Sequence, residues 1–411
     1  MTVSSPSVVM LTADRQIDRR ILQEAQSLRA RGWQVTLIAM PEDAPAPLPA
    51  GLDVIRVGAG NTGTPSRESF ILDAYRVIRS LLPMNGRLMR FAKQVAWSYV
   101  VDQEQFYQRL YGASALQFRP TVFVAHDLPM LAVAHRAAHA CGARLVYDSH
   151  ELFAEQEFSN SERKRWRHIE GQHIGACDAV ITVNPSIARE LETRYELENP
   201  VNVIYNAAYL ESPSPAKGKL RRQLGLPDDA RILLMQGGLS AGRNIDTLVR
   251  AMAKVKTQDV HLVLLGDGQI TRYLKRMVRS LHLENRVYFH PAVPQHALPE
   301  YTIDADLGVI PYLASCLNNR YCTPNKLFEY VAAELPMLAS DLPEISRIVN
   351  EFNLGLTTDF GSEASIAQGI DNCFAKSDRL VQWRQNAARA RNQLCWEQEE
   401  RKLISIFEAF R

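Results

Sequence analysis

Short apolar runs alternate with helix-spaced apolar positions along most of the chain. Val8–Leu11 is followed by apolar residues at Ile21, Ala25 and Leu28, whose spacing predicts a helix, and then by the apolar run Val35–Ala39. Strand, helix and strand in that order favour parallel pairing with helices on the faces of the sheet. The first half is therefore predicted to form a doubly wound sheet. Its further strands are predicted at Val54–Val57, Thr121–Ala125, Leu145–Tyr147, Ala179–Val183 and Val201–Ile204.

A second strand–helix series begins after a change in composition. The stretch 206–219 contains Ser212, Pro213, Ser214 and Pro215, which is typical of an interdomain connection. Helical spacing over 394–411 predicts a final helix long enough to cross from one half to the other. We therefore expect two Rossmann-like α/β domains, residues 1–206 together with 394–411, and residues 207–393. Strands of the second domain are predicted at Ile232–Gln236, Val260–Leu265, Val287–Phe289, Leu307–Ile310 and Met337–Ser340.

Composition narrows the class of protein. The 411 residues include 46% hydrophobic and 22% charged side chains, as in ordinary globular domains. A formal net charge of +2 gives no argument for nucleic acid as a partner. The six cysteines show no C-x-x-C pair and no metal-ligand spacing, which favours reduced thiols in a cytoplasmic enzyme. Met1–Ser7 lacks the order of a signal peptide, and no apolar run approaches the ~20 residues that span a bilayer.

A basic segment over 75–97 interrupts the strand–helix rhythm. It contains five cations and no acidic residue, interleaved with leucine, phenylalanine and tryptophan. A basic amphipathic helix can lie on an anionic membrane surface, here the inner membrane surface, or bind an anionic acceptor. A core-facing helix whose solvated side is basic is the alternative. The cations are Arg76, Arg79, Arg87, Arg90 and Lys93.

The segment that begins at Thr323 predicts a helix start suited to a phosphate group. Thr323 can cap the helix and Pro324 then occupies its first turn, followed by Asn325 and Lys326. Free backbone N–H groups and an ammonium at such a helix end favour a diphosphate. Glu329 lies about one turn further, where its carboxylate can accept hydrogen bonds from sugar hydroxyls. A nucleotide sugar fits this pattern, and an ordinary helix start with a surface Lys–Glu pair is the alternative.

Three loops at the predicted carboxyl ends of strands carry polar residues, and ligands of open parallel sheets bind at those ends. Gly237 and Gly238 allow close backbone approach, and Arg243 in the same loop can bind phosphate oxygens. This loop matches neither G-x-G-x-x-G nor a P-loop, so a plain glycine turn is the alternative. The pairs His126-Asp127 and His150-Glu151 follow two first-half strands, where a histidine can donate to a hydroxyl or act as a base.

Several motifs occur in the order found in the retaining glycosyltransferases of family 4. The chain resembles that family over nearly its whole length, most weakly from Asn61 to Arg119. The motifs are Tyr147–Glu151, Gly237–Leu239 with Arg243, Leu265–Gly268, Asp306–Tyr312, Pro324–Tyr330 and Leu335–Ser340.

The resemblance implies a GT-B fold, with two Rossmann-like domains facing across a cleft and the last helix crossing back to the first. It implies a nucleoside-diphosphate sugar donor bound mainly by the second domain, an acceptor bound by the first, and neither cofactor nor catalytic metal. By similarity Arg243 holds the diphosphate, with Lys326, and Glu329 binds the ribose hydroxyls. His126 matches a histidine near the reacting sugar and is the expected catalytic residue. The acceptor then attacks the face from which the phosphate leaves, and that phosphate takes the acceptor proton.

Further contacts to the sugar or the acceptor are expected from Asp127, His150, Glu151 and Tyr321. Tyr321 is also a departure from the family, because a glutamate that contacts the donor sugar is common at that position. Gly238 stands where an arginine is often found. Glu334 stands where many relatives have a glycine at the helix end, and a left-handed cap there costs roughly 1 kcal/mol for another residue. This turn can therefore differ from theirs.

These features predict a retaining, metal-independent glycosyltransferase that moves a sugar from a nucleoside diphosphate to an acceptor. The basic segment 75–97 favours an anionic or lipid-linked acceptor, as in cell-surface polysaccharide or glycoconjugate assembly. Two alternatives stay open. One is a nucleotide-sugar epimerase of the same fold, for which a carboxylate-rich cleft is expected. The other is a relative that binds a nucleotide sugar without turning it over, which Tyr321 keeps open.

Overall fold

The computed structural model describes residues 5–42, 48–57, 102–210 and 218–411. The chain forms two compact units. The first contains the described residues up to Val183, then Ile187–Val203 and Lys402–Arg411. The second contains Asn184–Ser186 and the described residues from Ile204 to Arg401. The division predicted from the sequence, with residues 1–206 and 394–411 as an acceptor domain and 207–393 as a donor domain, stays a proposal.

A seven-stranded parallel sheet is the centre of the first unit, with strand order β3-β2-β1-β4-β5-β6-β7. Its central strands are apolar on both faces because helices cover both, and every residue of Val122–His126 is buried. The strands are β1 (Ser7–Thr12), β2 (Gln34–Ala39), β3 (Asp53–Arg56), β4 (Val122–His126), β5 (Arg144–Ser149), β6 (Ala179–Thr182) and β7 (Asn202–Val203). The described helices before Ile204 are α1 (Arg19–Ala30), α2 (Gln103–Ala115), α3 (Leu128–Cys141), α4 (Asn160–His173) and α5 (Pro185–Tyr195).

A six-stranded parallel sheet is the centre of the second unit, with strand order β10-β9-β8-β11-β12-β13. Buried apolar clusters lie on both faces of this sheet. The strands are β8 (Arg231–Gln236), β9 (Val260–Leu265), β10 (Val287–His290), β11 (Leu307–Ile310), β12 (Met337–Ser340) and β13 (Gly355–Thr358). The helices are α6 (Lys219–Leu224), α7 (Ile245–Met252), α8 (Thr271–Ser280), α9 (Leu298–Thr302), α10 (Leu317–Arg320), α11 (Asn325–Ala332), α12 (Pro343–Glu351), α13 (Glu363–Phe374), α14 (Ser377–Ala390) and α15 (Trp396–Glu408).

The final helix α15 contributes to both units, as the helical spacing predicted. Its residues from Lys402 group with the first unit, where Phe407 packs edge-on against Trp33 with ring centroids 5.8 Å apart. Both aromatic side chains are buried. Among the described residues, no helix is long and apolar enough to cross a membrane.

The structure differs from the sequence-based expectations at three places. Strand β13 was not predicted, because its residues are only half-buried and show no apolar run. Helix α11 begins at Asn325 with Pro324 as its cap, and Thr323 makes no cap hydrogen bond to it. Glu334 keeps the left-handed backbone, with φ of 55°, although it is not a glycine. The basic segment 75–97 lies outside the described residues, so its contact with a membrane or an acceptor stays a prediction.

Candidate functional site

The start of helix α11 lies beside the glycine turn that follows strand β8. Gly237 has φ of 106°, a conformation that other residues rarely adopt. A Cβ atom built on Gly237 would lie 3.9 Å from Cε and 4.0 Å from Nζ of Lys326. Lys326 is only 7% exposed, so its ammonium approaches the backbone of this turn in a largely dry place. Gly237 and Lys326, predicted separately from the sequence, therefore line one site.

Tyr312 brings a second cation to the same place. The Arg243 guanidinium carbon lies 4.9 Å and the Lys326 ammonium 5.1 Å from the centre of the Tyr312 ring. Arg243 also donates a hydrogen bond to the Tyr312 hydroxyl. Burial raises the pKa of Tyr312 to about 12, so the phenol is neutral at physiological pH. Two cations that converge on one aromatic ring suit a ligand with more than one negative charge.

The surroundings of the Lys326 amine lower its pKa. Burial, reinforced by the Arg243 guanidinium, lowers the pKa of Lys326 to about 7. An anion bound next to it would favour the charged form and raise that pKa again. The site is therefore poised to take up a proton when it binds a phosphate.

A chain of polar side chains holds the carboxylate of Glu329. Gln236, the last residue of β8, donates to Glu329 Oε2 at 2.7 Å, and Gln295 donates to Oε1 at 3.1 Å. The buried Thr302 hydroxyl donates to Gln236 Oε1 at 2.9 Å. A carboxylate that is held in one orientation suits the recognition of ligand hydroxyls, which donate to it.

The remaining predicted residues of the second unit lie near α11 with less specific contacts. Asn325 Oδ1 accepts a 2.7 Å hydrogen bond from Asn206, and the Tyr321 carbonyl accepts one of 2.7 Å from Asn184. The Tyr321 side chain is half-buried at the end of α10. Gly238 is exposed, and a Cβ atom there would meet no other atom within 4 Å. A larger side chain would thus fit at Gly238.

Two histidines and an aspartate form a compact cluster in the first unit. His126 is the last residue of β4 and is 1% exposed. Its Nδ1 lies 3.3 Å from Asp148 Oδ2 and 3.2 Å from His150 Nε2. His150 Nε2 also lies 2.9 Å from Asp148 Oδ2. The sequence predicted both histidines at neighbouring strand ends, and parallel pairing of β4 with β5 brings them together.

The two histidines titrate in opposite directions. Burial lowers the pKa of His126, so this ring is neutral at physiological pH. Burial alone would also lower the pKa of His150, but the Asp127 and Asp148 carboxylates outweigh it and raise that pKa to about 10. Asp127 accepts from the His150 backbone N–H at 3.0 Å. The cluster thus combines a neutral imidazole with an imidazolium.

Arg20 holds the Asp148 carboxylate of this cluster in place. Its guanidinium donates to Asp148 Oδ2 at 3.1 Å and to Oδ1 at 2.8 Å, and all of these atoms are buried. Burial would raise the pKa of Asp148, but Arg20 and His150 overcome it and hold that pKa well below its usual range. Glu24 Oε1 lies 3.0 Å from Arg20 Nε, and burial together with the nearby Asp148 charge raises the pKa of this carboxyl.

The same cluster is the group of described residues with metal-ligand spacing. His126, Asp148 and His150 offer ligand atoms that all lie within 4.8 Å of one another. The bidentate Arg20 contact and the proton on His150 both oppose a cation at this position. An ion-pair network that orients His126 is the better description of this donor set. Glu151, predicted beside it, accepts a hydrogen bond from Gln156.

Sequence reasoning missed several residues of both sites. Asp148 and Arg20 were hidden inside an apolar strand and an apolar helix face, although a charge within a buried strand is itself a signal. Gln236 and Tyr312 could also have been found from the sequence. Each is a polar residue at or just after the carboxyl end of a strand, where ligands of open parallel sheets bind. Their pairing with Glu329 and Arg243 depends on side-chain geometry that spacing does not show.

Two parallel α/β units with these sites define a GT-B fold, and family models identify the chain. The model of the glycosyl transferase 4-like domain matches residues 17–207, and that of the glycosyl transferases group 1 matches residues 216–390. The chain belongs to this glycosyltransferase family.

Known relatives agree with that assignment. An uncharacterized glycosyltransferase of Methanocaldococcus jannaschii is 28% identical over 199 residues, 47% of this chain and 50% of the relative. D-inositol 3-phosphate glycosyltransferase of Xylanimonas cellulosilytica is 24% identical over 255 residues, 58% of each chain. The matches thus span about half the length of these curated relatives. The crystal structure of Anabaena HepE in complex with UDP has a TM-score of 0.70 and 17% identity, and covers 98% of this chain and 100% of that chain.

Proposed function

We propose that the protein is a retaining, metal-independent glycosyltransferase that moves a sugar from a nucleoside-diphosphate sugar to an acceptor. The observation that carries this proposal is the convergence of Arg243 and Lys326 on Tyr312, beside Gly237 and the start of α11. Cations and free backbone N–H groups at one point suit a diphosphate. Glu329, oriented by Gln236, suits the ribose hydroxyls. UDP in the related HepE structure makes UDP the first nucleotide to test.

In this proposal the donor diphosphate lies against Arg243 and Lys326, which stabilise the charge that develops on the leaving phosphate. His126 is the catalytic residue, and its neutral ring or its carbonyl orients a sugar hydroxyl and stabilises the positive charge at the reacting carbon. The acceptor oxygen forms the new glycosidic bond as the sugar–phosphate bond breaks, and the acceptor proton passes to the leaving phosphate. Asp127, His150, Glu151 and Tyr321 contribute contacts to the sugar or the acceptor.

The acceptor is proposed to be anionic or lipid-linked, in cell-surface polysaccharide or glycoconjugate assembly. The name of the Xylanimonas relative, a D-inositol 3-phosphate glycosyltransferase, supports an anionic acceptor. The His150 imidazolium is a cation of the first unit that an acceptor phosphate could contact. A cytoplasmic enzyme, with access to the inner membrane surface where a lipid-linked acceptor lies, is consistent with this proposal.

A thermal-shift screen of UDP, GDP, ADP, dTDP and CMP, with and without magnesium, tests the donor site. A ligand that binds only the folded protein must raise its melting temperature. We expect a shift with one nucleoside diphosphate that magnesium and EDTA leave unchanged. No shift with any nucleotide at millimolar concentration would overturn the proposed donor site.

The binding-only alternative rests on Tyr321, which replaces a glutamate common in the family. Release of free nucleoside diphosphate from the matching nucleotide sugar, with or without an acceptor, separates the two possibilities. Turnover supports the transferase. Tight binding of the donor with no turnover in the presence of candidate acceptors supports the binding-only relative.

A further inference from the structure

Helix α8, Thr271–Ser280, presents a stripe of positive charge to solvent. Its four cations, Arg272, Lys275, Arg276 and Arg279, are all exposed, whereas Leu274 and Val278 are buried against the unit. The cations are three or four residues apart, so they lie on one side of the helix. The helix contains no acidic residue.

These four side chains, which we call the α8 basic face, appear in no ion pair among the described residues, and Lys275 lies over the Phe289 ring with its ammonium 5.4 Å from the ring centre. Other helices of the second unit behave differently. Arg250 of α7 pairs with Asp246 at 2.9 Å and Glu363 at 3.0 Å, and Arg347 of α12 pairs with Glu344 at 2.9 Å.

Like charges three and four residues apart repel each other, and no ion pair within the described chain relieves that repulsion on the α8 basic face. An external anion of matching extent would relieve it. Four cations in a row along a helix fit an extended anionic surface better than a single small ion.

We propose that the α8 basic face docks on an anionic lipid bilayer. Tyr273 is 44% exposed beside the stripe, and tyrosine is enriched where proteins meet the membrane–water interface. A cation near an anionic bilayer contributes about a fivefold gain in affinity, so four cations together contribute several hundredfold. The net charge of the whole chain is only +2, which favours this local contact over the broad basic surface that nucleic-acid binding needs. This inference does not depend on the donor chemistry proposed above.

Co-sedimentation of the full chain with vesicles tests the docking surface. Vesicles of phosphatidylcholine alone are compared with vesicles of phosphatidylcholine and phosphatidylglycerol. Replacing three cations, Arg272→Gln, Arg276→Gln and Arg279→Gln, should weaken binding to the anionic vesicles by about 100-fold, because each cation contributes about fivefold. The matching Arg→Lys variant keeps the charge and should bind within a few-fold of the original chain.

A matched control removes the same charge from other places. Lys164 on helix α4, Lys256 in a loop and Lys376 just before helix α14 are exposed, and changing all three to Gln alters the net charge equally. This control should keep most of the vesicle binding and the same salt dependence. Both triple variants are first compared by circular dichroism and melting temperature, so that misfolding is recognised; if the Gln variant does not fold, single Arg276→Gln and Arg276→Lys variants replace it.

Two results would overturn the proposal. One is equal vesicle binding by the α8 variant and the control, which would assign any membrane contact to another part of the chain such as 75–97. The other is failure of the unaltered chain to bind anionic vesicles while it binds heparin through the α8 cations, which would make the partner a soluble polyanion.

Discussion

Gln236 donates a 2.7 Å hydrogen bond to the carboxylate of Glu329, and the two residues come from different elements of the second unit. Gln236 ends strand β8 and is 1% exposed, while Glu329 lies on helix α11 and is half-buried. A buried amide that contacts a more exposed carboxylate fixes the direction in which that carboxylate faces. Gln236 is therefore a positioning residue for whatever Glu329 binds.

Changing Gln236 to Leu should weaken nucleotide binding by roughly tenfold, because Glu329 loses a charge-assisted hydrogen bond that holds its orientation. Isothermal titration with the nucleoside diphosphate and with its 2′,3′-dideoxy analogue measures the effect. The dideoxy analogue, which lacks the ribose hydroxyls, should bind the variant and the original protein equally. Gln295→Leu, which removes the longer hydrogen bond of 3.1 Å, is the matched control. It should weaken nucleotide binding by less than about threefold. Equal losses for both nucleotides would contradict a role in ribose recognition.

Lys326 should make nucleotide binding depend on pH. Its pKa is lowered to about 7, so above pH 7 the free protein holds a growing fraction of neutral amine, and binding a diphosphate requires protonation. The affinity should therefore fall as the pH rises through 7 to 9, with uptake of up to one proton. Titrations in buffers of different ionisation enthalpy measure that proton.

Lys326→Ala is the control for this linkage. It should weaken binding by roughly 1.5–3 kcal/mol, the contribution of a charged hydrogen bond to phosphate. It should also lose the proton uptake. An unchanged dissociation constant would remove Lys326 from the donor site.

His126→Ala should abolish turnover while nucleotide binding persists. The ring is buried and neutral, in the first unit, whereas the nucleotide contacts proposed here all come from the second unit. We expect turnover to fall by about 100-fold or more, the size of effect seen when a preorganised group at a reacting centre is removed. The nucleotide dissociation constant should change less than about threefold, since no phosphate contact is lost.

His139→Ala is the matched control for His126, because His139 is an exposed histidine on helix α3 of the same unit. It should leave turnover intact. If His126→Ala retains full turnover, the His126 ring is not the catalytic group, and its backbone carbonyl, which the variant keeps, and the neighbouring His150 become the groups to test.

The strand–helix pattern predicted most of the fold because strands that are buried on both faces of a sheet consist of consecutive apolar residues, which are easy to recognise in the sequence. Twelve of the thirteen described strands match predicted runs, and the exception, Gly355–Thr358, is a half-buried edge strand with no apolar run. The site was harder to predict. Spacing identified His126, His150 and Lys326 by their positions at strand and helix ends. It did not show Asp148, Arg20 or Tyr312, whose roles come from side chains that meet across different elements.

His150 should give the protein a pH-dependent stability. Its folded pKa of about 10 lies above the ordinary value of 6.5, so it contributes stability that is fully present below pH 6.5 and is lost as the pH rises through 10. His150→Gln should therefore lower the unfolding free energy on the order of 2–4 kcal/mol at pH 6, and the difference should shrink towards pH 10. Thermal and urea melts at pH 6, 8 and 10 measure it. The exposed His168→Gln variant should show no such trend.

The turn after helix α11 stores backbone strain at Glu334. The residue has φ of 55°, and its side chain pairs with Arg391 at 2.7 Å. Glu334→Gly removes the pair but relieves about 1 kcal/mol of strain, so its stability should stay close to that of the original protein. Glu334→Ala removes the pair and keeps the strain, so it should be less stable than the Gly variant by about 1 kcal/mol. Urea unfolding compares the two.

At an ordinary helical position the Ala variant is more stable than the Gly variant, the reverse of the order expected at Glu334. The comparison therefore makes the test specific to the left-handed turn. Gln368 is exposed in the middle of helix α13, where Gly is less favourable than Ala by about 1 kcal/mol. Gln368→Gly should therefore be the weaker variant of that pair, whereas Glu334→Gly should be the stronger of its own. If Ala is preferred at both positions, Glu334 is not strained, and its ion pair with Arg391 must account for the stability of the turn. If Gly is preferred only at Glu334, this residue is held in a left-handed conformation that a glutamate disfavours. The buried neighbours Leu335 and Val331 then fix the backbone on either side of it.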